Sequence, residues 1–241
     1  MLGDNISFIC GFAGLLVVNC MGEVVERRWL LVCGGSMVAS TLAGLLALVL
    51  AVALYASSPI MPVFPKFLPV KLTFPCVNVG YNPAWQYISE LGMGPTASIF
   101  NTGMIVAGLL ALPAFTVARR VIGSSLIATL GIILGLVGCL CLVGVGVFPM
   151  TPAFFLKSPH ELVSIGFFSG MSLSAAFIGY SMTRNPMFSR IHGWLGLAVL
   201  LVGVVLGVTS APLPEWAAAV AIIAWFSSLG LWLLYKALGK A

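Results

Sequence analysis

The chain has 241 residues, of which 61% are hydrophobic and 7% are charged, and its formal net charge is +5. Soluble domains carry about 25% charged residues, so this composition excludes an ordinary soluble fold and is typical of a membrane protein. There is no Lys- or Arg-rich stripe with interleaved aromatic residues, which argues against a nucleic-acid partner.

The N-terminal segment is apolar over residues 6–25, which is long enough to cross a bilayer. Asp4 precedes it where a secretory signal would carry basic residues. We therefore predict an additional span here, and the alternative is a helix lying in the membrane interface. Together with a charged turn that ends at residue 28, this segment precedes the main bundle at residues 29–241.

Six long apolar runs follow, which predicts an all-α, multi-pass transmembrane bundle with six core spans and a seventh span at the N-terminus. The runs are separated by charged or proline-containing turns. The predicted core spans cover residues 29–56, 95–118, 121–147, 158–182, 191–208 and 215–238.

A polar segment separates the first two core spans. Its first part, residues 57–82, contains five prolines, a density that forbids a helix. Asn82-Pro83 is then typical of a helix start, so we predict a short helix over residues 83–91. Because Trp85 and Tyr87 are residue types that anchor at membrane interfaces, we expect this helix to lie near the lipid head groups.

The basic residues indicate an orientation. When alternate ends of the predicted spans are compared, eight of the 11 Lys and Arg residues fall on one side. The positive-inside rule places that side in the cytoplasm, together with the C-terminus. The loop at residues 57–82 is then expected outside the cell membrane.

Glu90 and His160 are the leading candidates for a polar site at the outer side. Glu90 falls near the C-terminal end of its predicted helix, and His160 falls in the first turn of another. Each charge is unfavourable at such a helix end, so we expect the two side chains to be hydrogen-bonded to each other. The alternative is two separately solvated interface residues. Adding Ser89 would complete a Ser-His-acid triad, but no nucleophile-elbow motif supports one.

Four other polar residues have simpler structural explanations. Asn101 lies inside a span, where helix-to-helix hydrogen bonding is favoured over ligand binding. Ser158 and Glu161 have the spacing of a capping box. Glu215 falls in a first helical turn, where the helix dipole favours a carboxylate.

The sequence indicates no metal site and no cofactor. Its two histidines, His160 and His192, are predicted at opposite ends of the bundle, so they cannot share a metal ion. No charge lies at a span centre, which does not favour proton or ion transport. The cysteines indicate no disulfide framework, since five of the six lie in apolar runs and only Cys76 lies in a long loop.

Three short stretches carry a resemblance to a known family. They are Tyr-Ile-Ser-Glu-Leu-Gly at residues 87–92, Ile-Phe-Asn-Thr-Gly at 99–103 and Val-Gly-Val-Phe-Pro at 145–149, together with His160. From Trp29 to Leu238 the chain resembles the family catalogued as domain of unknown function 998. That family consists of six-helix prokaryotic membrane proteins and is similar to DRAM-like autophagy modulators and to proteins of GPI-anchor lipid remodelling. The resemblance implies the fold and the topology, and no assigned activity.

The leading functional hypothesis is an integral membrane protein that binds a lipid head group or a partner in an outward-facing pocket without catalysis. The pocket would be lined by Tyr87, Ser89, Glu90, Asn101 and His160. One alternative is a lipid-modifying enzyme in which Glu90 or His160 is the general base. Another is a scaffold subunit of a membrane complex. The expected partners are membrane lipids and, in addition, either another protein or a second copy of the chain.

Overall fold

The structure, a computed structural model, describes residues 16–18, 24–55, 80–150 and 158–239. In this part of the chain, two three-residue strands, β1 (Leu16–Val18) and β2 (Val24–Glu26), pair antiparallel. Two short 3₁₀ helices, at Ile88–Gly92 and Gly94–Thr96, precede the second long helix. The remaining regular structure is six α-helices: α1 (Arg27–Ala53), α2 (Ala97–Ile122), α3 (Leu126–Val147), α4 (Pro159–Thr183), α5 (Arg190–Thr209) and α6 (Pro212–Ala237).

All six helices are long and apolar enough to cross a membrane. The shortest has 20 residues and the longest has 27, which correspond to about 30–40 Å at 1.5 Å per residue. The prediction of an all-α multi-pass bundle with six core spans is therefore confirmed.

The predicted seventh span at residues 6–25 is not confirmed. Where this segment is described, it contains β1 and the first residues of β2, with Val17 opposite Val25. A single helix through residues 6–25 is incompatible with that pairing. The rest of the segment lies outside the described residues, as does most of the predicted loop at residues 57–82.

Helix starts follow the local signals in the sequence. The Ser125, Ser158 and Ser189 hydroxyl oxygens each accept a backbone N–H from the first turn of α3, α4 and α5, at 3.2–3.3 Å. The Ser158 contribution to the predicted capping box is thereby confirmed. Prolines are tolerated in a first turn because its N–H groups have no helical partner, and both α4 and α6 begin with proline.

The helices form a closed ring. Each helix packs beside the next one along the chain, and α6 returns to pack against α1. The end at which α1 finishes and α2, α4 and α6 begin is called the glutamate end here, because Glu90, Glu161 and Glu215 lie there. The opposite end is called the arginine end, and it holds all seven Lys and Arg residues of the described part: Arg27, Arg28, Arg119, Arg120, Arg184, Arg190 and Lys236.

Small residues permit close approach at the helix crossings. A Cβ on Gly34 of α1 would lie 2.7 Å from the carbonyl oxygen of Gly230 in α6. A Cβ on Gly179 of α4 would lie 2.7 Å from the carbonyl oxygen of Gly193 in α5. Because the obstacle is backbone in both cases, a side chain there would push the helices apart.

Hydroxyl groups of α1 satisfy backbone groups of α2. Pro113 interrupts the hydrogen-bond ladder of α2. Beside it, the Ser36 hydroxyl accepts the N–H of Ala114 at 3.1 Å and donates to the carbonyl oxygen of Leu110. Ser36 thus bridges two groups that would otherwise bond each other along α2. Since lipid offers no alternative partners, such bonds hold the two helices in register.

The ring places apolar side chains both inside and outside. Phe115, Trp225 and Leu229 are each 1% exposed in the interior. On the outer face of α1, Leu42 and Leu46 are each 62% exposed. Exposed leucines at this density suit contact with lipid tails, and the interior packing fixes which helices are neighbours.

Two glycines of α5 test the importance of close helix approach. A Cβ on Gly196 would collide with the carbonyl oxygen of Ala175 in α4, whereas a Cβ on Gly207 meets nothing within 4 Å. We expect Gly196→Ala to destabilise the protein by about 1–3 kcal/mol through overpacking. Gly207→Ala should leave stability unchanged or raise it by up to about 1 kcal/mol. Unfolding midpoints in detergent measure both, and equal midpoints for the two variants would contradict this packing.

Candidate functional site

The segment at residues 80–92 closes the bundle at the glutamate end, and we call it the roof segment. It is not the predicted helix over residues 83–91. Asn82 begins a turn, as its capping chemistry predicts, with its side-chain oxygen accepting the N–H of Ala84 at 2.9 Å. The chain is then extended at Tyr87 (φ −69°, ψ 149°) before the 3₁₀ helix at Ile88–Gly92.

Two side chains explain why a continuous helix does not form in the roof segment. The Gln86 side-chain oxygen accepts the N–H of Asn82 at 2.8 Å, and a Glu90 carboxylate oxygen accepts the N–H of Tyr87 at 3.0 Å. These local bonds stabilise two short turns instead of one helix. Glu90 therefore lies in the first turn of a 3₁₀ helix, and its predicted position at an unfavourable helix C-terminus is wrong.

Glu90 is buried, with 4% of its surface exposed. Burial raises the pKa of its carboxyl group, and hydrogen bonds from the Tyr87 N–H and the Gln86 side chain lower it in part. The net direction is upward, so the neutral form of Glu90 is favoured relative to a solvated glutamate.

Glu215 holds the roof segment from α6. Glu215 lies in the first turn of α6, as predicted, and it is 7% exposed. One of its carboxylate oxygens accepts the backbone N–H of Ile88 at 2.7 Å. The two glutamates thus accept consecutive N–H groups, those of Tyr87 and Ile88. The bond to Glu90 stabilises the turn within the roof segment, and the bond to Glu215 fixes the segment to α6.

Aromatic residues complete the attachment of the roof segment. The Tyr81 hydroxyl accepts the Trp216 indole N–H at 2.9 Å and donates to the Gln86 carbonyl oxygen at 3.0 Å. The Gln86 amide donates to the Tyr55 hydroxyl at 3.0 Å, and the Tyr55 and Tyr81 rings meet edge to face with centroids 5.3 Å apart. Burial is the main cause that raises the pKa of Tyr81. This network joins the end of α1 and the start of α6 through the roof segment.

Tyr87, a predicted site residue, has a structural role in the same network. Its hydroxyl donates to the carbonyl oxygen of Ser210 at 2.6 Å. Burial raises its pKa to about 12, with smaller contributions from the charges of Glu215 and Glu90. Tyr87 therefore remains a neutral donor, and it links the roof segment to the turn between α5 and α6.

A cavity lies beneath the roof segment, inside the ring of helices. Its empty volume is about 930 Å³, a figure that includes space open to the surroundings of the protein. Side chains from α1, α2, α3, α4 and α6 line it, and Ile88 and Ser89 of the roof segment close one end. The wall is almost entirely apolar. The lining residues with polar or ionisable oxygen atoms are Ser40, Thr41, Ser89, Ser164 and Glu215.

The polar lining residues fall into two groups by position and by hydrogen-bond partner. The Ser40 and Thr41 hydroxyls donate to the carbonyl oxygens of Ala107 and Met37, at 2.8 and 2.9 Å. Ser89, Ser164 and Glu215 all lie toward the glutamate end. The cavity is therefore apolar along its length and polar at the glutamate end.

The predicted hydrogen bond between Glu90 and His160 is not formed. His160 Nδ1 lies 2.7 Å from the carbonyl oxygen of Phe148, and Nε2 lies 3.2 Å from the Ser164 hydroxyl oxygen. Both ring nitrogens are thus engaged within α4 and the end of α3, while Glu90 is engaged within the roof segment. A shared Glu90–His160 site was wrong because each side chain finds a partner closer in sequence.

The other two predicted residues lie in α2 and in the roof segment. The Asn101 amide donates to the carbonyl oxygen of Gly92 at 3.1 Å. Its role is structural, as favoured from the sequence, but its partner is the roof segment and not another long helix. Ser89 lines the cavity, and its hydroxyl donates to the sulfur of Met150 at 3.4 Å. Of the five predicted site residues, Ser89 is the one on the cavity wall.

Sequence reasoning missed Ser164 as a site residue, and it gave Glu215 only a structural role in a first helical turn. Ser164 follows His160 by four residues, a spacing that puts both on one helix face, so the signal was available. Glu215 lies 127 residues from Ile88, and no local pattern could have paired them. Within the described ranges, no three His, Cys, Asp or Glu side chains lie close enough together to hold a metal ion.

The sequence matches a family described as "Protein of unknown function (DUF998)" over residues 65–232. The chain belongs to the DUF998 family. This match spans the roof segment and α2 to α5, and most of α6. No curated protein matches the chain, and no solved structure does. With its six apolar helices, this DUF998 protein is an integral membrane protein, and its function must be argued from the site.

The raised pKa of Glu90 gives a pH-dependent stability. The folded protein keeps this proton to higher pH than the unfolded chain does, so Glu90 contributes stability that is complete at low pH. That contribution is lost as the pH rises from the ordinary glutamate range through the raised pKa. Glu90→Gln cannot ionise and can still accept the Tyr87 N–H. We therefore expect it to gain stability over the wild type as pH rises, by about 1.4 kcal/mol per unit of pKa shift.

Chemical unfolding in detergent across a pH series measures this difference. Ser89→Ala is the matched control, because it changes a neighbouring roof residue that does not titrate. Its difference from the wild type should be the same at every pH. A pH-independent difference for Glu90→Gln as well would contradict the assignment.

Proposed function

We propose that the protein binds a membrane lipid, with one acyl chain in the cavity and the head group at the glutamate end. The observation that carries the proposal is the distribution of polarity along the cavity. Its wall is apolar, and the polar lining residues whose groups are not bonded to a helix carbonyl oxygen, Ser89, Ser164 and Glu215, lie at one end. A single-chain amphiphile has the same distribution of polarity.

The depth of the cavity supports an acyl chain as the occupant. Along α6 the lining runs from Glu215 to Phe226, eleven residues further on. At 1.5 Å per residue this is about 16 Å. The hydrocarbon core of a bilayer is about 30 Å thick, so the cavity reaches to about the middle of the membrane. Its depth therefore matches the chain of a lipid from one leaflet.

The polar end favours particular head groups. Ser89 and Ser164 offer hydroxyl groups, and Glu215 offers a buried carboxyl group. A buried carboxyl is stabilised by hydrogen-bond donors or by positive charge. This chemistry favours head groups that carry hydroxyl or ammonium groups. The similarity to GPI-lipid-remodelling proteins that the sequence suggested is in keeping with a lipid ligand. The predicted protein partner or second copy would contact the outer apolar faces instead, and it stays a prediction.

The glutamate end is proposed to face outward from the cell membrane. All Lys and Arg side chains in the described part lie at the arginine end, which supports placing that end in the cytoplasm. The bound lipid would then come from the outer leaflet.

Cysteine labelling tests this orientation in intact cells. In a chain whose native cysteines are replaced by alanine, Trp85→Cys places a thiol at the glutamate end, where the side chain is 60% exposed. Leu238→Cys places one at the arginine end, where the side chain is 54% exposed. A membrane-impermeant maleimide should label position 85 in intact cells and position 238 only after permeabilisation. The reverse pattern would overturn the orientation.

Filling the cavity tests lipid binding. Ala219 and Ala224 lie on the same helix, α6, but Ala219 lines the cavity whereas Ala224 is exposed on the outer surface. Phosphatidylethanolamine with a diazirine at the end of one acyl chain is the probe. We expect it to crosslink to cavity residues such as Phe226. Ala219→Phe should reduce this crosslinking by about tenfold, which corresponds to about 1.4 kcal/mol of binding free energy.

Ala224→Phe is the matched control and should crosslink as the wild type does. Equal crosslinking in the two variants, or crosslinks confined to the outer helix faces, would remove the basis of the proposal.

A further inference from the structure

We propose that Ser164 and His160 form a nucleophile–base pair that cleaves the acyl ester of a lipid held in the cavity. This inference rests on the proposed lipid binding and adds a reaction to it. It uses a pair that the sequence analysis did not consider, on α4 and at the polar end of the cavity.

The hydrogen bonds of His160 fix its tautomer. A carbonyl oxygen can only accept, so Nδ1, at 2.7 Å from the Phe148 carbonyl oxygen, carries the proton. In the neutral ring, Nε2 then presents a lone pair, and the Ser164 hydroxyl at 3.2 Å donates to it. A serine nucleophile must donate its hydrogen bond to the general base, and Ser164 does so. A third group must orient the base, and the Phe148 carbonyl oxygen does so here.

Ser164 also departs from the usual behaviour of serine in a helix. A helical serine commonly donates to the carbonyl oxygen four residues earlier. Ser181 does so to Phe177 at 3.0 Å, and Ser227 does so to Ile223 at 2.7 Å. Ser164 instead donates to the ring of the residue four positions earlier. Its hydroxyl is thus held by a base and not by the helix backbone.

The pair is placed where a lipid ester would lie. Ser164 lines the cavity, and further along α4 the lining consists of Phe167, Phe168 and Met171. An acyl chain packed against these residues, running toward the middle of the membrane, leaves its ester carbonyl near Ser164. Ser89 lies on the same cavity wall, and its hydroxyl donates to a thioether sulfur, which is a weak acceptor. That hydroxyl can turn to a carbonyl oxygen on which negative charge develops.

The reaction is a hydrolysis with water as the second reactant. The Ser164 oxygen bonds to the ester carbonyl carbon while its proton passes to His160 Nε2. The carbon–oxygen bond to the lipid alcohol then breaks, and the alcohol leaves with the proton from Nε2. Water, deprotonated by the same nitrogen, attacks the acyl–serine and releases a carboxylic acid, and the proton returns to Ser164. The sum is ester plus water giving acid plus alcohol, with no change of oxidation state.

A hexadecyl fluorophosphonate tests the pair directly. Such a probe forms a phosphorus–oxygen bond with an activated serine and releases fluoride, and its long chain requires the cavity. We expect the wild-type protein in detergent to gain one adduct, located by peptide mass mapping at Ser164. His160→Gln should slow the labelling by about 100-fold or more, the usual contribution of a general base. Ala219→Phe should slow labelling by the hexadecyl probe and leave that by an ethyl fluorophosphonate unchanged.

Ser181→Ala is the matched control. Ser181 lies on the same helix, α4, but outside the cavity lining, and its hydroxyl donates to the backbone carbonyl oxygen of Phe177, so the variant should label at the wild-type rate. Absence of an adduct at Ser164 in the wild-type protein overturns the inference whatever the variants do. If the diazirine lipid still crosslinks in the cavity, only the reaction is wrong. If that crosslink is also absent, the proposed lipid binding falls with it.

Discussion

The organisation of the site depends on two buried carboxyl groups that accept neighbouring backbone N–H groups. Glu90 takes the N–H of Tyr87 and Glu215 takes that of Ile88. A buried N–H without a partner costs about 1–3 kcal/mol, so each of these two N–H groups needs its acceptor. Glu90 supplies one from within the roof segment, and Glu215 supplies the other from α6, which holds the segment in place. Without that attachment, Ile88 and Ser89 would not close the cavity.

The same requirement for satisfied polar groups governs the spans. Pro113 breaks the backbone ladder of α2, and Ser36 from α1 bridges the groups beside the break. Elsewhere in the bundle, Ser174 of α4 donates to the Gly131 carbonyl oxygen of the neighbouring helix α3 at 2.7 Å. Where water is absent, each such bond specifies which helices are neighbours. The ring order of the helices and the interior cavity follow from these contacts together with the glycine crossings.

The cavity gives the site its chemical character. Along most of its length the cavity wall offers no hydrogen-bond partner. The polar atoms of a bound molecule would therefore have to lie at the glutamate end. Ser164 and Glu215 lie at that end because each follows closely on the start of its helix. The placement of helix starts, a local property, thus decides where polar groups lie along the cavity.

The sequence predicted much of the fold and less of the site. The six spans could be found because each apolar run is longer than about 18 residues, which few soluble elements are. The prediction of a helix over residues 83–91 was wrong. The capping signal at Asn82 was correct, but the prediction did not consider the competing hydrogen bonds that Gln86 and Glu90 make to the backbone. Ser89, one of the candidates, lines the cavity, whereas Glu90 and His160 each bond to other partners and not to one another.

By itself, the sequence determined the class of protein, the number of core spans and the excess of basic residues at one end. These properties depend on composition and on local spacing. In a bilayer an apolar segment has no water to bond its backbone groups, so it forms a helix that satisfies them internally. Only the tertiary structure decided that Glu215 holds Ile88, that a cavity lies within the ring, and that Ser164 and not Glu90 is the partner of His160. Those contacts depend on how helices far apart in the chain pack, and on which partners each polar group reaches once water is excluded.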